Sequence, residues 1–222
     1  LDLIHPQPQF SATEQAKTDA FLAELRTLCE TEMDGTVIER ESLIPDAYLK
    51  SLARLGVFGM KIPREYGGLG LGQVGFNRAL MLIGSVHPSL GALVSAHQSI
   101  GVPEPVKMFG TEEQKRAFLP RCAAGAVTAF LLTEPDVGSD PARMCTVATP
   151  TEDGKAFILN GDKQWCTNVT DPKTTMIAVL ARTPDKVLPN GKKIPQISCF
   201  VVETAWPGVE RVRRSTFMGL RG

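Results

Sequence analysis

Two short segments in the second half of the chain hold the residues whose types and spacing best suit chemistry. The first reads Phe-Leu-Leu-Thr-Glu-Pro-Asp-Val-Gly-Ser-Asp, from Phe130 to Asp140. A strand-like run here enters a turn that contains hydroxyls, a carboxylate, a proline and a glycine. Because such a turn frees backbone amides, these residues could bind the polar edge of a heterocycle and a phosphate. A polar β-turn with no ligand explains the same pattern.

The second segment reads Asn-Gly-Asp-Lys-Gln-Trp-Cys-Thr-Asn, from Asn160 to Asn168. Its Asn-Gly pair predicts a hairpin turn, and the residues after it predict a strand. Since side chains alternate along a strand, Trp165 and Thr167 are predicted to share one face. An indole beside a hydroxyl could flank a flat ring and hydrogen-bond to one of its nitrogens. The alternative is a tryptophan that only packs on a sheet.

A third segment, from Gly70 to Gly75, matches the pattern Gly-x-Gly-x-x-Gly. In a dinucleotide-binding fold this pattern directly follows a buried parallel strand. Here the preceding residues, Lys61–Tyr66, include a proline and several charges, which suit a core strand poorly. We therefore favour a loop that crosses the top of a helical domain.

The elements that must position these segments divide the chain into two parts. Residues 12–125 show apolar side chains at helical spacing, with capping boxes that begin at Ser11 and Thr111. His87-Pro88 predicts a break, because a proline disfavours helix at the residue before it. Helices are predicted at about 46–55, at about 73–86 and, as one buried apolar helix, at 89–109.

From residue 127 onward, short runs rich in β-branched residues alternate with turn clusters. These runs are Val127–Leu132, Cys145–Thr149, Ala156–Leu159, Thr174–Leu180 and Ile197–Val202. Short strands so spaced predict a small antiparallel barrel or sandwich. The expected fold class is therefore α+β, with an all-helical domain followed by a small antiparallel β-barrel or sandwich domain.

Composition narrows the function classes. The 222 residues carry 24 Lys and Arg against 24 Asp and Glu, so bulk charge does not favour a nucleic-acid partner. Five cysteines without a Cys-x-x-Cys pair, and three scattered histidines, disfavour a metal site and indicate a reducing compartment. No apolar run approaches the ~20 residues that span a bilayer. We expect a soluble intracellular protein, in the bacterial cytoplasm or the mitochondrial matrix.

A first residue other than Met and an end at Gly222 suggest a chain cut at both ends.

In this order, the two β-part segments resemble signatures of the acyl-CoA dehydrogenase family. The first is an aromatic residue followed by two further residues and then Thr-Glu-Pro-x-x-Gly-Ser-Asp, and the second is Leu-Asn-Gly-x-Lys-x-Trp-x-Thr-Asn, which begins here at Leu159. Similar motifs cover nearly the whole chain, at Ile62–Gly70, Phe109–Lys115, Phe200–Glu203 and Met218–Arg221. The stretch Ala96–Gly101 resembles the long-chain and very-long-chain branch.

The resemblance implies an N-terminal helical domain (1–126), a flavin-binding middle β domain (127–222) truncated at its C-terminal end, and a C-terminal helical bundle missing from this chain. It implies FAD as the cofactor, a homo-oligomer (dimer or tetramer), and dehydrogenation of acyl-CoA to trans-2-enoyl-CoA with an electron-transfer flavoprotein as acceptor. The family's base is a glutamate on C-terminal helices, so it is expected beyond Gly222 and no glutamate here is assigned the role, Glu134 included. The alternatives are a flavin oxidase or monooxygenase on this fold, and a non-catalytic acyl-CoA- or protein-binding module.

Residue by residue, the resemblance implies a set that contacts the cofactor. The flavin's pyrimidine edge would meet Phe130, Leu132 and Thr133. The FAD pyrophosphate would lie by Gly138 and Ser139. The isoalloxazine would be flanked by Trp165, and Thr167 would donate a hydrogen bond to its N5 region.

The substrate set is smaller. Ser139 would also lie near the thioester arm of CoA. Leu93, Ala96 and Ile100 fall at i, i+3 and i+7 of the predicted buried helix, so they share a face that would floor the acyl pocket. The small Ala96 would leave room for a medium-to-long chain, or it only lets helices pack closely. Cys166 stands where the family usually has a β-branched aliphatic residue, and it is expected to point away from the ring.

Overall fold

The computed structural model describes residues 11–221, a helical part followed by a β-sheet, which confirms the predicted order. The α-helices of this part are α1 (Ala12–Glu32), α2 (Gly35–Glu41), α3 (Asp46–Arg54), α4 (Gln73–Val86), α5 (Pro88–Ser99), α6 (Pro103–Phe109) and α7 (Glu112–Ala123). Short 3-10 turns lie at Val57–Gly59, Arg64–Tyr66 and Pro141–Arg143. Within residues 11–221, no helix is both long enough and apolar enough to cross a bilayer.

Side chains cap α1 and α7 as predicted. The Ser11 hydroxyl accepts a hydrogen bond from the Glu14 amide at 3.2 Å, and the Glu14 carboxylate accepts one from the Ser11 amide at 3.3 Å. Thr111 and Gln114 form the same reciprocal pair at the start of α7. Each pair satisfies amides that the first turn of a helix leaves without a partner.

The break at His87-Pro88 is also confirmed. His87 has extended backbone angles, and its Nδ1 accepts a hydrogen bond from the Ser89 amide at 3.1 Å. The same residue therefore ends α4 and caps α5.

The single helix predicted for 89–109 is wrong, because α5 ends at Ser99 and α6 begins at Pro103. Between them, Gly101 approaches the sheet so closely that a Cβ there would lie 2.4 Å from Thr128 Oγ1. Pro103 has no amide proton, so it can begin a helix but cannot continue one.

The first half of the glycine-rich segment, residues 70–72, is a loop, as predicted, and Gly75 lies in the first turn of α4. The chain before it forms the Arg64–Tyr66 turn rather than a strand, and the Leu71 amide bonds to the Met60 carbonyl at 2.7 Å. The buried strand that a dinucleotide-binding loop requires is therefore not there.

The strands are β1 (Val127–Leu131), β2 (Val147–Pro150), β3 (Phe157–Asn160), β4 (Thr174–Val187) and β5 (Lys193–Glu203). They form one five-stranded sheet in the order β1-β4-β2-β3, and β5 also pairs with β4. β4 and β5 are antiparallel, as are β2 and β3.

The wholly antiparallel arrangement that we predicted is wrong, because β1 and β2 each run parallel to β4. Each predicted strand run overlaps an observed strand, although β4 and β5 are longer than predicted, but alternation along a strand does not report the direction of its neighbour. Residues 132–173 bring the chain back across the sheet before β4 begins, so β1 and β4 point the same way.

Both faces of the sheet are covered. Met176 and Ala178 of β4 pack with Leu119 of α7 on the helical side. The alternate residues Ile177 and Val179 form a second apolar layer on the opposite side. This alternation gives the sheet one face for the helical part and one face for a separate cavity.

His97 joins the helical part to the sheet. Its Nε2 lies 3.0 Å from the Phe58 carbonyl, which can only accept, so Nε2 carries the proton. Its Nδ1 then accepts from Thr128 Oγ1 at 2.9 Å, and that oxygen accepts from the Val102 amide at 3.2 Å. Burial lowers the pKa of His97 to about 4, against the raising effect of the bond to Phe58, so the ring is neutral at physiological pH.

Candidate functional site

The site begins where β1 ends. Glu134 and Val137 exchange two backbone hydrogen bonds, of 3.0 and 3.1 Å, which close a tight turn directly after Thr133. Gly138 and Ser139 follow this turn and are exposed. A Cβ on Gly138 would meet no described atom within 4 Å, so neither packing nor a positive φ requires a glycine there.

Glu134 is buried inside this turn and bonds with several donors. Its carboxylate accepts from Lys163 Nζ at 2.8 Å, from the Thr146 amide at 2.9 Å, and from the Thr146 hydroxyl and the Cys145 amide, each at 2.5 Å. Burial by itself would raise the pKa of Glu134, but these hydrogen bonds outweigh it and lower that pKa to about 2. An ionised carboxylate that is fully hydrogen-bonded is a poor general base near neutral pH.

The second segment does not form the strand that we predicted. β3 ends at Asn160, and Trp165 and Asn168 have positive φ angles of 58° and 73°. Positive φ is rare for a large residue such as tryptophan and costs on the order of 1–3 kcal/mol. The shared strand face predicted for Trp165 and Thr167 is therefore wrong, although the two side chains line the same cavity.

Hydrogen bonds to the β1 turn explain why this segment leaves the sheet. The Gln164 amide donates to the Thr133 carbonyl at 2.9 Å, and the Gln164 side chain donates to the Glu134 carbonyl at 3.1 Å. Lys163 Nζ donates to the Leu132 carbonyl at 3.1 Å. These bonds bring Thr133 next to the segment that carries Trp165.

Asn168 fixes the other end of the segment. Its side-chain amide donates to the Leu93 carbonyl of α5 at 3.1 Å and to the Thr128 carbonyl of β1 at 3.2 Å. Asparagine tolerates a left-handed backbone better than most residues, which suits its φ of 73°. Residues 163–168 are thus held between the β1 turn, the strand and α5.

A cavity of about 710 Å³ opens beside this segment. Its apolar wall comes from the second layer of the sheet, and the residues that form it are Leu131, Ile177, Val179 and Val202. Leu93, Trp165 and Thr167 also line it, as do the exposed arginines Arg211, Arg213 and Arg214. The volume lies within the range of small-molecule and cofactor sites.

The indole of Trp165 is 54% exposed and contacts the Phe217 ring, with ring centroids 5.9 Å apart. More than half of its surface is therefore exposed, which does not fit a tryptophan that only packs on a sheet. Thr167 is exposed on the same wall. Cys166 is partly buried against the apolar layer, and burial raises the pKa of its thiol to about 11, so it is a neutral thiol.

The remaining predicted residues lie outside this cavity. Phe130 faces the helical side of the sheet, where it packs near α7, so only its backbone can face a ligand on the other side. Leu132 and Thr133 are partly buried in the adjoining turn. Gly138 and Ser139 are exposed beyond it.

The predicted acyl-pocket residues are also divided. Leu93 is buried on α5 and lines the cavity, whereas Ala96 is half-buried and does not. Ile100 lies beyond the last residue of α5 and is 48% exposed, so helical spacing does not place it with the other two. The α5 residues on the cavity wall are Ser89, Ala92 and Leu93.

Sequence reasoning missed the residues that hold the site together, namely Lys163, Gln164 and Asn168. A sequence signal was available for Lys163. In a strand with one buried face, a charged residue between a turn and a tryptophan is unusual. The arginines near the end of the chain also had a signal, because three of the four residues from Arg211 to Arg214 are basic.

Comparison with known proteins agrees with this arrangement. Residues 15–126 match the model of the acyl-CoA dehydrogenase N-terminal domain, and residues 129–222 match that of the acyl-CoA dehydrogenase middle domain. A probable acyl-CoA dehydrogenase, FadE10, from Mycobacterium tuberculosis is 59% identical over 100% of this chain and 33% of its own length. The mouse mitochondrial very long-chain specific acyl-CoA dehydrogenase is 34% identical over 100% of this chain and 34% of its own.

Solved structures are similar as well. The acyl-CoA dehydrogenase from Bacillus anthracis, complexed with FAD, has a TM-score of 0.70 and 29% identity, over 94% of this chain and 34% of that one. The chain spans about a third of the length of the curated relatives it matches. Together, the two family models account for nearly all of its residues, and the chain belongs to the acyl-CoA dehydrogenase family.

Proposed function

We propose that the protein catalyses FAD-dependent α,β-dehydrogenation of acyl-CoA thioesters to trans-2-enoyl-CoA, and that it passes electrons to an electron-transfer flavoprotein. The observation that carries this proposal is that Trp165 and Thr167 line one cavity, while the hydrogen bond from the Gln164 amide to the Thr133 carbonyl holds the turn after β1 next to them. The relatives named acyl-CoA dehydrogenases support it.

The residues present fit a flavin. An apolar wall suits the hydrocarbon part of a flat ring, and a half-exposed indole can cover one of its faces. The exposed hydroxyl-bearing residue Thr167 stands beside that indole. Gly138 and Ser139 remain the proposed partners of the pyrophosphate, with open space beside Gly138.

When bound, FAD supplies the hydride acceptor for the reaction. The residues of this chain would orient the flavin and tune its reactivity. Trp165 would flank the ring, and Thr167 would donate a hydrogen bond to its N5 region. Leu93 borders the acyl chain, with Ala96 and Ile100 proposed further along α5 and just beyond it.

We place the base that removes the substrate α-proton outside this chain. Glu134 is held as a carboxylate by Lys163 and Thr146. Asp162 and Glu210 line the cavity but are exposed to solvent, and we assign neither of them as the base. We also assign the stabilisation of the negative charge that develops on the thioester carbonyl oxygen to other parts of the protein.

We further propose a helical domain at 1–126, a flavin-binding domain at 127–222, a homo-oligomer, and an intracellular location in the bacterial cytoplasm or the mitochondrial matrix. Size-exclusion chromatography with light scattering, run on the full-length protein, tests the oligomer.

The deciding experiment for the function uses the full-length protein. We expect it to purify yellow, to release FAD rather than FMN, and to lose its visible flavin absorbance when an acyl-CoA is added without air. A colourless protein that cannot be reconstituted with FAD would contradict the proposal. Stopped-flow mixing of the reduced protein with air then separates a dehydrogenase, which reacts slowly when product is bound, from an oxidase.

A further inference from the structure

The ion pair between Glu134 and Lys163 is buried on both sides, with side chains only 4% and 5% exposed. Removing two charges from water is costly, and an apolar pair of similar volume is often at least as stable. Stability alone is therefore a weak explanation for this pair. Its position in the molecule gives a stronger one.

The pair joins the turn after β1 to the segment that lines the cavity. Glu134 directly follows Thr133, and Lys163 lies two residues before Trp165. The hydrogen bond between the Thr133 carbonyl and the Gln164 amide lies between them. Because each partner is adjacent or nearly adjacent to a proposed flavin contact, a shift of either charge would move that contact.

Both partners are also fixed from outside the pair. The amides of Cys145 and Thr146, just before β2, hold the Glu134 carboxylate, and the Leu132 carbonyl holds the Lys163 ammonium. Each bond has a definite direction, so the pair can occupy one arrangement and no other without loss of several buried hydrogen bonds. An apolar pair would fill the space without this directional constraint.

We infer that the Glu134–Lys163 ion pair positions Thr133 relative to the Trp165–Thr167 segment, an inference that rests on the function proposed above. By setting the distance between them, the pair preorganises the flavin site. Neither residue touches the cofactor in this assignment. Both act through their neighbours along the chain.

A set of variants of the full-length protein separates positioning from plain stability. Lys163→Met and Glu134→Gln each leave one buried partner unpaired, whereas the double variant leaves no uncompensated charge. Lys61→Met is the matched control, because it breaks the partly buried Lys61–Glu104 pair, of 3.3 Å, far along the chain from both segments. For each protein, the FAD dissociation constant of the apoprotein, the visible absorption and circular dichroism of bound flavin, and the melting temperature are measured.

We expect both single variants to melt earlier and the double variant to regain most of that loss. We also expect the FAD dissociation constant to rise about tenfold or more in all three variants, with an altered flavin spectrum. The directional hydrogen bond between the two side chains is lost in each variant, whether or not the remaining charges are balanced. The control should keep the wild-type affinity and spectrum.

Two results would overturn the inference. One is a double variant that regains FAD affinity and spectrum together with its melting temperature, since the pair would then only stabilise the fold. The other is a wild-type affinity and spectrum in a single variant. If a single variant does not fold, the double variant alone decides between these outcomes. A wild-type protein that binds no FAD is a separate outcome, and it removes the proposed function itself.

Discussion

Acid should destabilise this protein through His97, which lies fully buried between the helical part and the sheet. Its folded-state pKa of about 4 lies below the ordinary value of 6.5. As the pH falls, the unfolded chain therefore binds a proton before the folded protein does. Stability is full above about pH 6.5, declines as the pH falls, and levels off below the folded pKa.

The size of the loss follows from the shift. Each unit of pKa shift corresponds to about 1.4 kcal/mol of folding stability. The total loss of stability on acidification is therefore roughly 3 kcal/mol, of which roughly 2 kcal/mol is lost by about pH 5. The free energy of unfolding of a folded domain is typically about 5–15 kcal/mol, so this loss is a large fraction of it.

The test compares urea unfolding of wild type and His97→Gln at pH 7.5 and at about pH 5. Glutamine can still donate to the Phe58 carbonyl and accept from Thr128, but it does not titrate. We expect the variant to lose roughly 2 kcal/mol less than wild type on acidification. His87→Gln is the control, because it keeps His97 and should show the full loss. An equal loss in wild type and His97→Gln would refute the role of this histidine.

Three further predictions concern the site. Asn168→Ala should lower the melting temperature by an amount equivalent to ~1–3 kcal/mol, because two hydrogen bonds are lost at a left-handed residue, and Asn168→Gly should separate the backbone part of that cost. Thr167→Val should lower the flavin reduction potential by an equivalent of ~0.5–1.5 kcal/mol while FAD stays bound, and an unchanged potential would mean that the hydroxyl points elsewhere. Ala96→Phe should shift the preferred acyl chain to shorter lengths in a KM series, since each buried methylene contributes ~0.8 kcal/mol, and equal losses on short and long substrates would mark Ala96 as a packing residue.

The sequence predicted the helical part closely, because its signals are local. A capping hydroxyl acts on amides three residues away, and a proline acts on the residue before it, so Ser11, Thr111 and Pro88 each determine a boundary without help from the rest of the chain. The break after Ser99 was missed although Pro103 is a local signal for it, and the close approach of Gly101 to Thr128 depends on a distant strand that local spacing does not reveal.

Three of the predicted site residues, Leu93, Trp165 and Thr167, line the cavity, but the predicted strand geometry of the Trp165–Thr167 segment was wrong. Trp165 and Thr167 do line one cavity, but they do so from an irregular segment, since Lys163 and Gln164 bond to the turn after β1 instead of pairing as a strand. Alternation of side chains cannot reveal such a competition, because it describes a strand that has already formed. The parallel direction of β1 and β4 was missed for a related reason, as it depends on where the connecting chain passes.

The parallel pairing of β1 and β4 also bears on the order in which the molecule folds. Both strands contribute to the apolar wall of the cavity, yet the whole of residues 132–173 lies between them, so the wall forms only after a long loop has closed. The helices depend mainly on near neighbours in the chain and carry no such delay. In a refolding experiment we therefore expect far-ultraviolet circular dichroism to recover first, and the fluorescence of Trp165, which reports the finished cavity, to recover later.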